Sequence, residues 1–328
     1  IGTFGRAIWI LDDIRPFRAL ANNPEIIKKN LHLFDPPKAY LTQYQQPNGS
    51  RFGADAIYNA ENKKYGGMLT YFYKAGDKKE KDSLNLNIYD GERLIRTLIT
   101  KAPKETGFHR WYWSLNEKGV TRPSRKVIKS KSEPRGVSVK PGVYRIIMGT
   151  ASVTSEVSIE VHSDPRLAIS DIAIDERYTY SKIIEGYLEQ TTQAVNQLRH
   201  SKETLANYKK RISKKVNKTL IEQIDEASKE IDSIINSFLG KEDKRQGIVR
   251  NPENSVVKRI NSASRYIRSR PNGITETEEK LMKHALDDLK KALNQTNSFY
   301  DENWEELKTS IEAVELTEFK EIVRFEID

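Results

Sequence analysis

The feature that most constrains this chain is a change of hydrophobic period at Pro165. Before it, apolar residues alternate with polar ones in short runs broken by turn signals. After it, they recur every three or four residues for more than a hundred positions. Period two places one side of a strand against a core, and the four-three spacing does the same for a helix. No single element satisfies both, so the chain must divide into a β part and an α part.

The β part reads as residues 67–162. Residues 68–73 form an apolar strand. Leu84-Asn85-Leu86-Asn87-Ile88-Tyr89 alternates strictly, and Asp90-Gly91 turns it back into residues 93–99. Residues 108–115, 143–148 and 153–161 bring the count to at least six strands. Short strands with regular turns predict an immunoglobulin-like β-sandwich. Two stretches anchor it. Gly107 to Leu115 carries Phe108, Trp111 and Trp113, and Pro141-Gly142-Val143-Tyr144 opens a later apolar strand. Trp111 and Trp113, two apart, share a face. They suit a sandwich core better than a carbohydrate-binding strip.

The α part shows four stripes. Ile184, Leu188, Thr191, Val195, Leu198, Leu205 and Ile212 form the first, with a gap at Lys202. Leu220, Ile224, Ala227, Ile231, Ile234 and Phe238 form the second. Val256, Ile260, Ala263 and Ile267 make a shorter third. Met282, Leu286, Leu289, Leu293, Thr296, Tyr300 and Leu307 carry one long last helix. Thr275 with Glu278 is a capping box at its start, and Ser170 or Asp175 is placed to cap the first. Short connections between such helices predict an antiparallel bundle. The tail at 319–327 alternates and suits an edge strand.

Between Ser114 and Pro141 lies an insertion in which Arg122, Arg125, Lys126, Lys129, Lys131 and Arg135 face one acid, Glu133. It reads either as a grip for an anionic polymer or as a solvated loop. No aromatic interleaves it to stack a base, which disfavours nucleic acid. The net charge of +9 over 328 residues is spread among Glu on helical faces, the pattern of a solvated surface. There is no cysteine, which excludes disulfides and a thiol nucleophile. No apolar run is long enough to span a membrane.

The start of the chain carries a resemblance. Gly2-Thr3-Phe4-Gly5-Arg6-Ala7-Ile8-Trp9-Ile10-Leu11-Asp12-Asp13 resembles the closing segment of bacterial sortilin-like, BNR-repeat β-propeller proteins, many of which bear the name glycosyl hydrolase. The family pattern has His at the position of Phe4 and Gly at that of Ala7. Leu33-Phe34-Asp35-Pro36 and Asp164-Pro165-Arg166 continue the likeness. The order Ile88-Tyr89-Asp90-Gly91, Trp113-Ser114-Leu115, Pro141-Gly142-Val143-Tyr144 is similar to the Ig-like domain of the flagellar hook-capping protein, a spacer or docking module. The resemblance implies Gly2, Gly5, Arg6, Trp9, Asp12, Asp13, Pro141, Gly142 and Tyr144 as structural motif residues. It further implies an upstream propeller as partner and export to the periplasm, cell surface or medium.

The organisation expected is a terminal propeller segment and linker at 1–40, the sandwich at 41–165 with its insertion at 122–135, the helical bundle at 166–316, and a tail at 317–328. Catalytic constellations are missing from the pattern. Adjacent Asp12 and Asp13 on a strand point to opposite faces and cannot flank one glycosidic bond. They suit tying down loop amides, with Arg6 as a partner. The five histidines, His32, His109, His162, His200 and His284, fall in no metal-ligand spacing. No cofactor is expected. The leading expectation is a non-catalytic scaffold and interaction region, docking the propeller, a protein partner or a second copy through the bundle. The alternatives are a fragment of a glycoside hydrolase or peptidase-like enzyme whose site lies in the missing blades, and a module binding glycan or anionic polymer.

Overall fold

The computed structural model describes residues 11–43, 63–76, 83–127, 130, 132–212, 217–242 and 254–314. Gly2, Gly5, Arg6, Trp9, Lys129, Lys131 and the tail at 319–327 lie outside the described residues. The chain is mixed β and α, in that order along the sequence. It forms two compact units, Ile1–Gly119 with Ser130–Tyr178, and Val120–Lys129 with Thr179–Asp328.

Among its described residues the first unit holds a separate two-stranded pair and two larger sheets over one apolar core. The smaller has β1 (Leu31–Leu33), β3 (Gly67–Tyr73) and β6 (Gly107–Trp113), with β3 central and both pairings antiparallel. The larger has five strands. They run in the order β2 (Ala39–Leu41), β10 (Thr154–Ser163), β9 (Gly142–Gly149), β4 (Ser83–Asp90) and β5 (Arg93–Lys101). All six expected strands are present. The alternation of β4 puts Leu84, Leu86 and Ile88 into the core beside Tyr144, Ile146 and Met148 of β9. Leu69, Tyr71 and Trp113 reach the same cluster from the smaller sheet. β3 is buried along its whole length because both its faces are covered. Its second face brings Phe72 against Phe34 and Ile26, beneath α1 (Arg15–Asn22) and a 3-10 turn at Pro24–Lys28.

The sequence reading missed β1, β2 and α1. Two three-residue strands leave no periodicity to detect. Pro16 sits in the first turn of α1, where its missing N–H costs nothing. The boundary at residue 40 falls inside the β unit, since β1 and β2 pair with its sheets.

The second unit is helical. α2 (Asp171–Arg211) begins in the first unit and continues here. It is followed by α3 (Lys218–Leu239), α4 (Val256–Ser269) and α5 (Glu276–Phe299). Every expected stripe residue of α3 and α4 is buried. Ser170 is the residue that caps α2, accepting from the Ala173 N–H at 3.2 Å. Ser201 fills the place that seemed vacant at Lys202. It lies one residue earlier, buried, with its hydroxyl 2.9 Å from that of Tyr300. The capping box of Thr275 and Glu278 is present.

The last helix departs from expectation in two ways. Its buried line runs through Ala285 and Ala292 rather than Leu286 and Leu293. Small residues face the closest neighbour, and the leucines lie on the flank. The helix also breaks into a π-turn at Tyr300–Trp304 before α6 (Glu305–Glu312). Phe299 and Leu307 are eight residues apart, which in a regular helix would leave them about 80° out of phase. The wider turn absorbs roughly one residue, so Leu307 and Ile311 return to the core face. Among the described residues no helix is long and apolar enough to cross a membrane.

Asp164, after β10, shows how the β unit closes. Its carboxylate is almost fully buried and accepts from the Arg166 guanidinium at 2.6 and 2.9 Å, and from the backbone N–H groups of Gln43 at 2.9 Å and Arg166 at 3.1 Å. The Arg166 bonds, opposed by burial and aided by the two amides, hold this carboxyl well below the usual carboxylate range. A lowered folded pKa gives stability that is complete above the unfolded value of about 4 and is lost as pH falls through the folded one. Asp164→Asn is therefore expected to cost about 2 kcal/mol near neutral pH. It should also shrink the difference in melting temperature between pH 7 and pH 3, as read by circular dichroism.

Candidate functional site

The basic insertion was the sharpest sequence candidate, and the fold divides it. The two arms of its base pair as β7 (Asn116–Lys118) and β8 (Arg135–Ser138). There the backbones touch. A Cβ on Gly136 would lie 2.7 Å from backbone atoms of Lys118 and Gly119, and one on Gly119 would lie 2.4 Å from the Arg135 carbonyl oxygen. Only glycine allows this approach.

The returning arm is held by Arg96. A register shift between β4 and β5 leaves Ile95 and Arg96 both turned inward. The buried guanidinium donates to the carbonyls of Glu117 at 3.2 Å, Glu133 at 3.0 Å and Pro134. The Glu133 carboxylate accepts from the Thr97 N–H at 2.8 Å and lies 3.5 Å from Lys118. Glu133, the single acid within residues 122–135, thus serves as a fastener. Arg135 is exposed on β8.

The outgoing arm belongs to the helical unit. Val120 packs on its core. The Thr121 carbonyl accepts from the Thr192 hydroxyl at 2.7 Å, and the Ser124 carbonyl accepts from Arg199, one face of α2 receiving both. Arg122 donates to the Asn261 side chain on α4 at 3.3 Å. Arg125 donates to the Asn236 side chain at 2.9 Å and to the Gly240 carbonyl that ends α3. A cation there meets the negative end of the helix dipole and an orphan carbonyl. Lys126 is exposed. Residues 120–127 form a strap, and its cations bond to neutral oxygens rather than to acids.

Trp111 and Trp113 do not form an exposed strip. Trp113 is fully buried, edge-on to Tyr144 with ring centroids 5.3 Å apart, and its indole N–H donates to the Asn116 carbonyl at 3.0 Å. Trp111 is half-buried against the same core. Phe108 points the other way, stacked on Phe34 at 5.6 Å. The Tyr144 hydroxyl donates to the Lys140 carbonyl at 2.7 Å, spanning the Pro141-Gly142 turn. Burial, then the nearby carboxylates of Asp90 and Glu117, push its pKa up.

Asp12 is exposed and Asp13 is buried, so the adjacent pair does not face a common cleft. Arg15 pairs with Asp13, and Arg6, the partner expected from the sequence, lies outside the described residues. Its side chain donates at 2.7 and 3.0 Å and its backbone N–H at 3.2 Å, while a third guanidinium bond reaches the Pro36 carbonyl at 3.1 Å.

Sequence reasoning did not find Glu117. Its carboxylate is buried and accepts from Arg93 at 3.0 Å and the Tyr178 hydroxyl at 2.7 Å. Burial and this carboxylate push Tyr178 up. Lys140 meets Asp175 at 2.9 Å and lies over the Tyr178 ring. No periodic signal marks an acid whose partners lie 24 and 61 positions away. This cluster ties the start of α2 to β5 and β7. Among the described residues no group of His, Asp and Glu could hold a metal ion.

No family model and no curated protein matches the chain. A solved structure named pT26-6p is similar to it at 12% identity, over 75% of this chain and 46% of that one, with a TM-score of 0.18.

The strap generates two expectations. Arg125→Ala should destabilise the helical unit by about 1 kcal/mol and speed proteolysis within residues 120–127, seen by mass spectrometry of a timed digest. Gly136→Ala should cost about 2 kcal/mol through the backbone clash at the base, measured by urea denaturation. A change below about 0.5 kcal/mol would show that the base of the strap is not closed.

Proposed function

We propose that this chain is the non-catalytic C-terminal region of an exported sortilin-like β-propeller protein, and that its two units hold and dock that propeller. The observation that carries this is the use made of buried charge. Asp13, Arg96, Glu117, Asp164 and Glu278 are all buried, and each is bonded to backbone or side chains of its own unit. A catalytic acid or base must present its proton to a substrate. These groups instead fix where the chain turns, enters a helix or leaves a strand.

We read the β unit as an Ig-like spacer. A core tryptophan against a tyrosine whose hydroxyl bonds a carbonyl four residues upstream supports this, since sandwiches of that kind close a corner in the same way. The opening motif and the later Pro-Gly-Val-Tyr supply the rest of the support.

Incubation of the purified chain with panels of glycans and peptides is expected to give no cleavage above a heat-treated control. Turnover that disappears in Asp13→Asn or Glu117→Gln, with folding retained by circular dichroism, would overturn the scaffold assignment.

A further inference from the structure

The helix α4 carries four basic residues and no acid: Lys258, Arg259, Arg265 and Arg268. Arg259 is neutralised by Asp288 at 3.2 Å. Arg265 is exposed and has no ion pair or hydrogen bond among the described residues. Arg268 is exposed and donates only to the Ser264 carbonyl of its own helix. Asn261, Arg265 and Arg268 stand at i, i+4 and i+7, one side of the helix. The strap adds to that side, because Arg122 bonds to Asn261 at its head. Three guanidinium groups therefore follow one another about one helical turn, or ~5 Å, apart. The strap's Arg125 lies toward the start of α4, at the end of α3, again on neutral acceptors. Tyr266, 44% exposed, stands on a different side of α4, at least about 100° around the helix from each of Asn261, Arg265 and Arg268.

We propose that α4 and the strap form a binding surface for an acidic polysaccharide whose sugars carry carboxylate or sulfate groups. A guanidinium fork matches a planar oxyanion with two parallel bonds and is weakly hydrated, so it gives up water readily. Single-stranded nucleic acid would call for a series of aromatic platforms, and the arginine row carries none. The surface lies wholly within the helical unit and goes beyond the scaffold assignment without depending on it.

The test is binding of the full chain to heparin and to polygalacturonate, by titration calorimetry at 20–150 mM salt (about the range where such contacts are screened). Neutral dextran and single- and double-stranded oligonucleotides serve as comparisons. Binding to at least one acidic glycan, weakening with salt, is expected. Arg265→Glu with Arg268→Glu should weaken it at least about tenfold, whereas Tyr266→Ala, on another side of the helix, should leave it within about twofold. Among the described residues neither arginine makes a tertiary hydrogen bond or ion pair, so helicity of the double variant should be unchanged. Lys283→Glu, a charge reversal on exposed α5 surface, should leave affinity within about twofold. The proposal is overturned by absence of glycan binding at low salt, by equal loss in the Lys283 variant, or by tighter binding of oligonucleotide than of either glycan. Glycan cleavage would overturn the scaffold assignment and leave this surface standing if the same variants still set affinity.

Discussion

A buried carbonyl must find a donor, and in this protein arginine supplies it where no strand or helix can. Arg96 is the clearest case. It is nearly inaccessible to water, and its guanidinium faces three carbonyl oxygens from two separate stretches of chain. Without it, the Glu133 carbonyl would lose its donor, at a cost of about 1–3 kcal/mol, and the Pro134 carbonyl would keep only the Gly119 N–H at 3.0 Å. The bulge that turns Arg96 inward thereby fixes where the insertion returns to the sheet. Arg15 and Arg166 repeat the device at Asp13 and Asp164, each also reaching a distant carbonyl, of Pro36 and Gln43. Arg125 repeats it in the helical unit at the end of α3.

The consequence is a chain whose irregular segments are fastened by charge-assisted bonds rather than by apolar contact. Each such bond is directional and stronger than a neutral one. It also leaves positive charge without a matching acid. In the strap the two arginines that fasten it, Arg122 and Arg125, are themselves exposed, so fastening and surface charge come from the same side chains there.

In the helical unit the core decided local geometry against simple periodicity. A helix of constant pitch could not keep both Phe299 and Leu307 on the buried face, and the π-turn reconciles them. The hydroxyls of Ser201 and Tyr300 satisfy each other beside that turn, since a polar group removed from water needs a partner. The exchange of Leu286 and Leu293 for Ala285 and Ala292 at the centre of the stripe reflects distance. Closely approaching helices admit small residues at the contact and push large ones to its margin.

The sequence by itself determined the β-then-α order, the six longer strands, the stripes of α3 and α4 and the capping box. Those are consequences of side-chain period and local hydrogen bonding, which act over a few residues. Only the tertiary structure decided that Asp13 answers to Arg15, that Glu117 is the centre of a cluster, and that half of the basic insertion lies on the helices. Each of those depends on which buried oxygen or carboxylate lacks a partner once the elements have packed. The residues that supply the partner are separated by tens of positions, and arginine in a sequence looks the same whether it faces water or a carbonyl.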